Sequence, residues 1–237
     1  MPAPIQQPQS EACINLVQML ILGAFYPCPA RGIFTDSMQT ITTMSGRLSE
    51  FPSGLATAMA RYRHQIFIER LGWPLTTHHG AERDQFDRPD TLYVLALDAE
   101  GKLCGCARLL PTSRPYLLGV IFPQMAEEQP LPCSSTIWEI SRFACTSASA
   151  THSLLAATVA RAAAEGAIRL MTISPIGVER LLQRMKVRTQ RAGKPVHSEG
   201  KTIVACWIEI DAQTRAALGI AGHEPAQIQA QEDYIGQ

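Results

Sequence analysis

Three carboxylates, Asp84, Asp87 and Glu139, and three arginines, Arg63, Arg108 and Arg142, are the side chains of this sequence best suited to chemistry. Balanced opposite charges suit a zwitterionic small molecule. A guanidinium grips a carboxylate through paired hydrogen bonds, and a carboxylate accepts from an ammonium. The faces of Phe67 and Trp73 attract a cation, a sulfonium included, by ~0.5–2 kcal/mol. A carboxylate beside an amine also works through water as a general base, freeing the nitrogen lone pair. The bland alternative is an ion-pair network tying a loop to a sheet, and residue types alone leave both readings open. Asp84-x-x-Asp87 offers only two oxygens in a loop, so no metal is expected.

Elements must bring these groups together, and the most telling is Ile137-Trp138-Glu139-Ile140-Ser141-Arg142-Phe143. Its β-branched and aromatic residues favour a buried strand. Strict alternation puts Trp138, Ile140 and Arg142 on one face and Glu139, Ser141 and Phe143 on the other. Each face then holds one costly charge. If Glu139 and Arg142 serve one site, a bulge or splay must re-aim one of them.

The remaining pattern predicts a short first strand at 39–41, then a helix opened by Pro52 and stopped by Gly72, with Leu55, Met59, Tyr62, Ile66 and Phe67 on one face. Residues 74–90 read as a loop. Residues 91–98 and 102–110 read as a hairpin, and 116–128 as holding a short helix. Downstream come a helix at 153–165, a strand at 168–173, a helix at 177–186, a strand at 202–210 and a short helix capped by Asp211. This order predicts an α/β fold, a mixed twisted β-sheet flanked by helices. No phosphate-cradling glycine loop is present.

The 237 residues suit one domain with tails, and a hydrophobic fraction of 46% supports a full core. Formal net charge is zero, so general attraction to nucleic acid is not expected. The seven cysteines lack a second Cys/His pair for a structural zinc site and read as reduced, packed thiols. Residues 1–37 look foreign to the rest. Their apolar run at 14–26 is short for a bilayer and has no basic residue before it. The expectation is a leader, disordered or not translated, with Met38 the natural start, a domain over 38–220 and a loose tail at 221–237. No membrane association is expected, and the location implied is cytoplasmic.

Arg63-x3-Phe67-x5-Trp73, Glu82-x-Asp84-x2-Asp87, Cys106-x-Arg108-Leu-Leu-Pro-Thr and Trp138-Glu139-x-Ser141-Arg142-Phe143 together resemble the acyl-homoserine-lactone synthases, the LuxI-type autoinducer makers. The resemblance covers roughly residues 38–220, with four motifs in register. It implies a GNAT-like sheet with a V-shaped splay between central strands. It implies two substrates, S-adenosylmethionine and an acyl chain on acyl carrier protein, no cofactor, and a lactone signal read by a separate receptor.

By the same resemblance Arg63, Phe67 and Trp73 wall the S-adenosylmethionine site. Asp84, Asp87, Arg108, Glu139 and Arg142 form the charged cluster over it. Glu139 is the expected base, with Arg142 and Ser141 beside it. Phe122 resembles an acyl-tunnel residue, with Leu118, Ile140 and Met171 as further lining. Thr172 matches a position where makers of 3-oxo chains carry threonine. Arg180, Arg184 and Arg191 match basic positions that meet the carrier protein. Two alternatives stay open: an ordinary GNAT acyltransferase using coenzyme A, and a silent binding module in this fold.

Overall fold

The computed structural model describes residues 40–127, 130–198, 201–220 and 226–227. The expectations for 1–37 and Met38, and for nearly all of the tail, lie outside the described residues. Within the tail, Ala226–Gln227 form a strand.

Strand β1 is Thr42–Arg47, just after the expected first strand. Its sequence is too polar to announce itself, and its place comes from the neighbour it pairs with. Helix α1 is Ser53–Arg63, with Pro52 at its N-cap, and it continues as a π-helical stretch over His64–Arg70. Gly72, at φ +68°, lets the chain leave the helix. The five apolar positions read as one face are all buried. A small hairpin interrupts the expected loop: β2, Thr77–His78, and β3, Ala81–Glu82. It turns through His79 and Gly80, both at positive φ.

Strands β4, Leu92–Leu97, and β5, Leu103–Pro111, form the expected hairpin. Helix α2, Leu117–Ile121, is short and runs into a 3-10 turn at Pro123–Met125. Strand β6 is Ile137–Cys145. Helix α3, Ala148–Ala164, begins before the expected start because Ser147 caps it by accepting from the Ala150 N–H. Strand β7, Arg169–Pro175, leads into helix α4, Ile176–Arg184. Strands β8, Thr189–Arg191, and β9, Val196–Ser198, precede β10, Lys201–Glu209. Asp211 caps α5, Ala212–Ala217, and Ala226–Gln227 is β11.

Nine strands make one mixed sheet in the order β11-β1-β4-β5-β6-β7-β10-β8, with β9 also on β10. This is the expected fold class. On one face α1 covers Tyr93, Leu95 and Cys106, and α2 covers Leu110 and Met171. On the other, α3 and α4 cover Leu109, Ile140, Leu170 and Ile208. Strands β6 and β7 pair in parallel over four positions only, Ile137 with Arg169 through Ile140 with Thr172. Beyond them β6 stays on β5 and β7 stays on β10, and the gap that opens between the two is the V-shaped splay.

Candidate active site

The site begins with a defect in β6. Cys106 pairs with Ala144 and Arg108 with Ser141, so Arg142 and Phe143 stand opposite Ala107 alone. That bulge holds Arg142 at φ +51°, a conformation costing a non-glycine residue roughly 1–3 kcal/mol. It brings the Arg142 guanidinium onto the α1 side, against the hairpin acids. Phe143 moves to the opposite face with Ile140, which corrects the strict alternation read from sequence.

Arg142 Nη2 lies 3.0 Å from Glu82 and 2.8 Å from Asp84. Arg63 reaches Glu82 at 2.5 Å and Asp87 at 2.8 Å. Arg108 reaches Asp84 at 2.6 Å and Asp87 at 2.8 Å, and its Nε donates to Ser141 Oγ at 3.0 Å. Tyr93 donates its hydroxyl to Asp87. Three positive and three negative groups thus neutralise one another, all of them buried except Asp84, whose side chain is 16% exposed. Burial alone would raise the Asp87 carboxyl, but the Arg63 and Arg108 guanidiniums outweigh it and hold it well below the usual carboxylate range. Glu82 and Asp84 are lowered for the same reason.

Two of these partners were not among the expected site residues. Glu82, fully buried, takes the place in the network expected of Glu139. Its position at the head of the acidic motif was the available signal. Tyr93 gave none, being one more apolar position of a buried strand.

Glu139 stands apart from the ion pairs. Its two oxygens accept from the backbone N–H groups of Leu117 and Leu118, each at 2.7 Å, at the start of α2. Burial pushes its carboxyl up to about 7, against the pull of those two donors. A carboxyl at this level exchanges a proton readily near neutrality.

The π-helical stretch places Phe67 one turn beyond Arg63. The Trp73 N–H then donates back to the Phe67 carbonyl at 2.9 Å, folding the chain so the rings stack 4.7 Å apart. Arg142 covers Phe67 at 5.7 Å. The rings, Leu117, Glu139, Ser141 and Arg142 line one end of a cleft through the splay, about 810 Å³ of empty space counting its open mouth. Ile140, Leu155, Thr172, Leu182 and Ile208 line the other end, so the cleft passes from one face of the sheet to the other.

The expected acyl-lining set divides. Ile140 and Thr172 are on the cleft wall. Leu118, Phe122 and Met171 are packed with Leu110, Tyr116 and Trp207 under α2, because Met171 and Thr172 point to opposite faces of β7. Of the expected docking arginines, Arg180 and Arg184 are exposed on α4. Arg191 is engaged in a two-armed pair with buried Glu179, at 2.8 and 2.9 Å, which neutralises its charge. Among the described residues no group of three or more His, Cys, Asp or Glu could hold a metal, and no helix is long and apolar enough to cross a membrane.

The autoinducer synthase family model matches residues 50–218. An acyl-homoserine-lactone synthase from Ralstonia nicotianae is 47% identical over 197 residues, 78% of this chain and 95% of that one. TofI, solved in a ternary complex with an inhibitor and MTA, is 46% identical with a TM-score of 0.71, covering 75% of this chain and 96% of its own. BjaI, a CoA-dependent acyl-homoserine lactone synthase solved with SAM and isopentyl-CoA, is similar in fold at 24% identity and a TM-score of 0.71, over 82% of this chain and 96% of its own. ElaA from Escherichia coli shares the fold alone, at 13% identity and a TM-score of 0.52, over 70% of this chain and 99% of its own. The chain belongs to the autoinducer synthase family, the LuxI-type acyl-homoserine-lactone synthases. It is thus an enzyme of quorum-signal synthesis, an acyltransferase that uses S-adenosylmethionine.

Proposed function

We propose that this chain makes an N-acyl-L-homoserine lactone from S-adenosylmethionine and an acyl chain carried as a thioester on acyl carrier protein. The observation that carries the reading is the cleft itself: charged groups, stacked rings and a carboxyl near neutrality at one end, an apolar passage at the other.

S-adenosylmethionine binds at the ring end, its sulfonium beside Trp73 and Phe67. The ordered network of Arg63, Glu82, Asp84, Asp87, Arg108 and Arg142 fixes the wall around it. Glu139, through a water molecule, takes the proton that the amine loses as its lone pair attacks the thioester carbonyl. Backbone N–H groups along the edge of β6 left unpaired by the splay stabilise the oxyanion. Collapse expels the carrier thiol and leaves an amide. The methionyl carboxylate then attacks its own γ-carbon, the carbon–sulfur bond breaks, and methylthioadenosine leaves with the electron pair. A sulfonium is already a good leaving group, so this step needs orientation more than acid catalysis.

The carrier-protein donor is favoured by the exposed Arg180 and Arg184, a surface fit for an acidic partner. Pairing of Arg191 with Glu179 weakens that surface and favours the second reading, a coenzyme A donor. The test is incubation with S-adenosylmethionine and matched acyl-carrier and acyl-CoA thioesters, with mass spectrometry for methylthioadenosine and lactone. Both products, faster from the carrier thioester, are expected. Lactone without methylthioadenosine would refute the scheme, and faster turnover of the CoA thioester would reverse the donor.

A further inference from the structure

The place of Arg88 is not explained by its charge. Its side chain is half-buried, and Asp90, the acid beside it, stands 3.8 Å from its Nε and is already engaged by Arg114. That Nε is buried with no hydrogen-bond partner among the described residues. Partial burial and repulsion from Arg114 and Arg108 hold its pKa below the usual arginine range, so the ionised side chain is less stable here than in water. Its one well-formed side-chain contact is a hydrogen bond from Nη1 to the Pro115 carbonyl at 3.0 Å.

The two ends of that bond belong to the two halves of the site. Arg88 follows Asp87 in a loop locked to itself. The Asp84 N–H donates to the Asp87 carboxylate at 2.8 Å, and the Phe86 N–H to that of Asp84 at 2.9 Å. The Arg88 N–H donates to the Thr91 hydroxyl at 3.1 Å, which donates in turn to the Phe86 carbonyl at 2.6 Å. Pro115 precedes Tyr116, the N-cap of α2, and leads directly to the two N–H groups that hold Glu139. Helix α2 has five residues, too few to fix itself. Phe86 shares an apolar cluster with Leu117 and Leu118, but such contact is non-directional and lets a short helix slide. The guanidinium gives the join a direction.

We propose that Arg88 is a positioning residue for acyl transfer: by holding the Pro115 carbonyl it keeps the Leu117 and Leu118 N–H groups on the Glu139 carboxyl, and so sets where that carboxyl stands relative to the wall built by the ion-pair network. This rests on the reading of Glu139 as the base. The charged and titratable groups that face Glu139 are Arg108 on β5, Arg142 on β6 and Tyr116 at the start of α2. Arg88 acts through Pro115 instead. Both N–H groups favour the ionised carboxyl, so a slack α2 makes Glu139 harder to ionise as well as displacing it.

The experiment measures kcat, KM for S-adenosylmethionine and the pH dependence of kcat/KM, by release of methylthioadenosine, in wild type, Arg88→Ala and Arg88→Lys at low and high salt. In Arg88→Ala, kcat is expected to fall roughly tenfold while KM stays within about twofold. The acid limb of the profile is expected to move to higher pH. Arg88→Lys keeps the charge but offers a point donor in place of a fork, and is expected to fall between. The melting temperature is expected to stay near wild type, since a half-buried side chain in a weak ion pair contributes little. Wild-type kcat with an unmoved limb in Arg88→Ala overturns the proposal. A limb restored completely by high salt or by lysine also overturns it, because the side chain then acts by charge alone. So does lost activity that tracks a lower melting temperature with the limb unmoved, the mark of a purely structural role. A flat profile in wild type would instead remove Glu139 as the base, and this inference with it.

Discussion

Glu139 and Asp87 are both buried carboxyls, and their surroundings drive them in opposite directions. Burial pushes Glu139 up to about 7, so below that pH the form that accepts a proton is the minority. If it is the base, kcat/KM should climb roughly tenfold per pH unit up to about pH 7 and then level. Glu139→Gln should lose at least about a hundredfold and with it the climb. Steady-state release of methylthioadenosine at pH 5.5–8.5 reads both, and a flat wild-type profile would remove Glu139 from that role. Asp87 is held below its ordinary range, so its stabilisation is present above the unfolded value of about 3.9 and drains away as pH falls toward the folded one. Asp87→Asn should cost about 3–5 kcal/mol near neutrality, because Arg63 and Arg108 each lose one of two counter-charges and the buried network is left with an unbalanced positive charge. Urea unfolding at pH 7 and at about pH 3 checks it, with the gap between wild type and variant narrowing at the lower pH. The arginines and aspartates of this network were legible in the sequence, since charge among large apolar residues demands a partner. The exchange of Glu82 for Glu139 was not. It depends on a two-residue turn at His79–Gly80 and on the N–H groups at the start of α2, neither of which leaves a periodic trace.

At the scale of elements, three irregular features do the positioning: the bulge in β6, the π-helical stretch after α1, and the clamp that holds α2. The need for a bulge was legible from the alternation of β6, but not which residue would take positive φ. The long strands and helices were legible because their apolar periods are long; β2, β3, β8 and β9 are too short to show one. The clamp is a close approach of backbones. Glu127 donates its N–H to Ala192, and a Cβ on Gly193 would stand 2.4 Å from the Met125 carbonyl oxygen. Gly193→Ala should therefore push the β8–β9 connection off the 3-10 turn, cost about 1–3 kcal/mol, and slow turnover by disturbing the N–H groups that hold Glu139. Thermal melting and kcat together check this; a variant with wild-type values of both would show that the connection yields freely.

For the whole molecule, the exposed charges at Arg180 and Arg184 bear on which partner is met. Arg184→Glu should raise the apparent KM for acyl carrier protein several-fold while leaving that for S-adenosylmethionine near wild type, and the difference should shrink at high salt. An equal effect on both substrates would place the docking surface elsewhere. The overall architecture was legible from the order of elements, since helix, hairpin and strand–helix–strand alternation leave few arrangements. The proposed docking surface was legible only as a run of basic residues, because sequence does not show that Glu179 holds one of them. The four registered pairs between β6 and β7 have one more consequence. Among the described residues they are the only rungs joining two leaves of sheet, and whatever sits between the leaves touches both. On the proposed reaction, a substrate there acts as a staple as well as a reactant. Saturating S-adenosylmethionine at a hundredfold excess over its Kd should add about 2.7 kcal/mol and raise the melting temperature roughly 5–10 °C. On the proposed reaction, the width of the gap, set at Ile140 and Thr172, limits how thick an acyl tail can thread from one side of the molecule to the other.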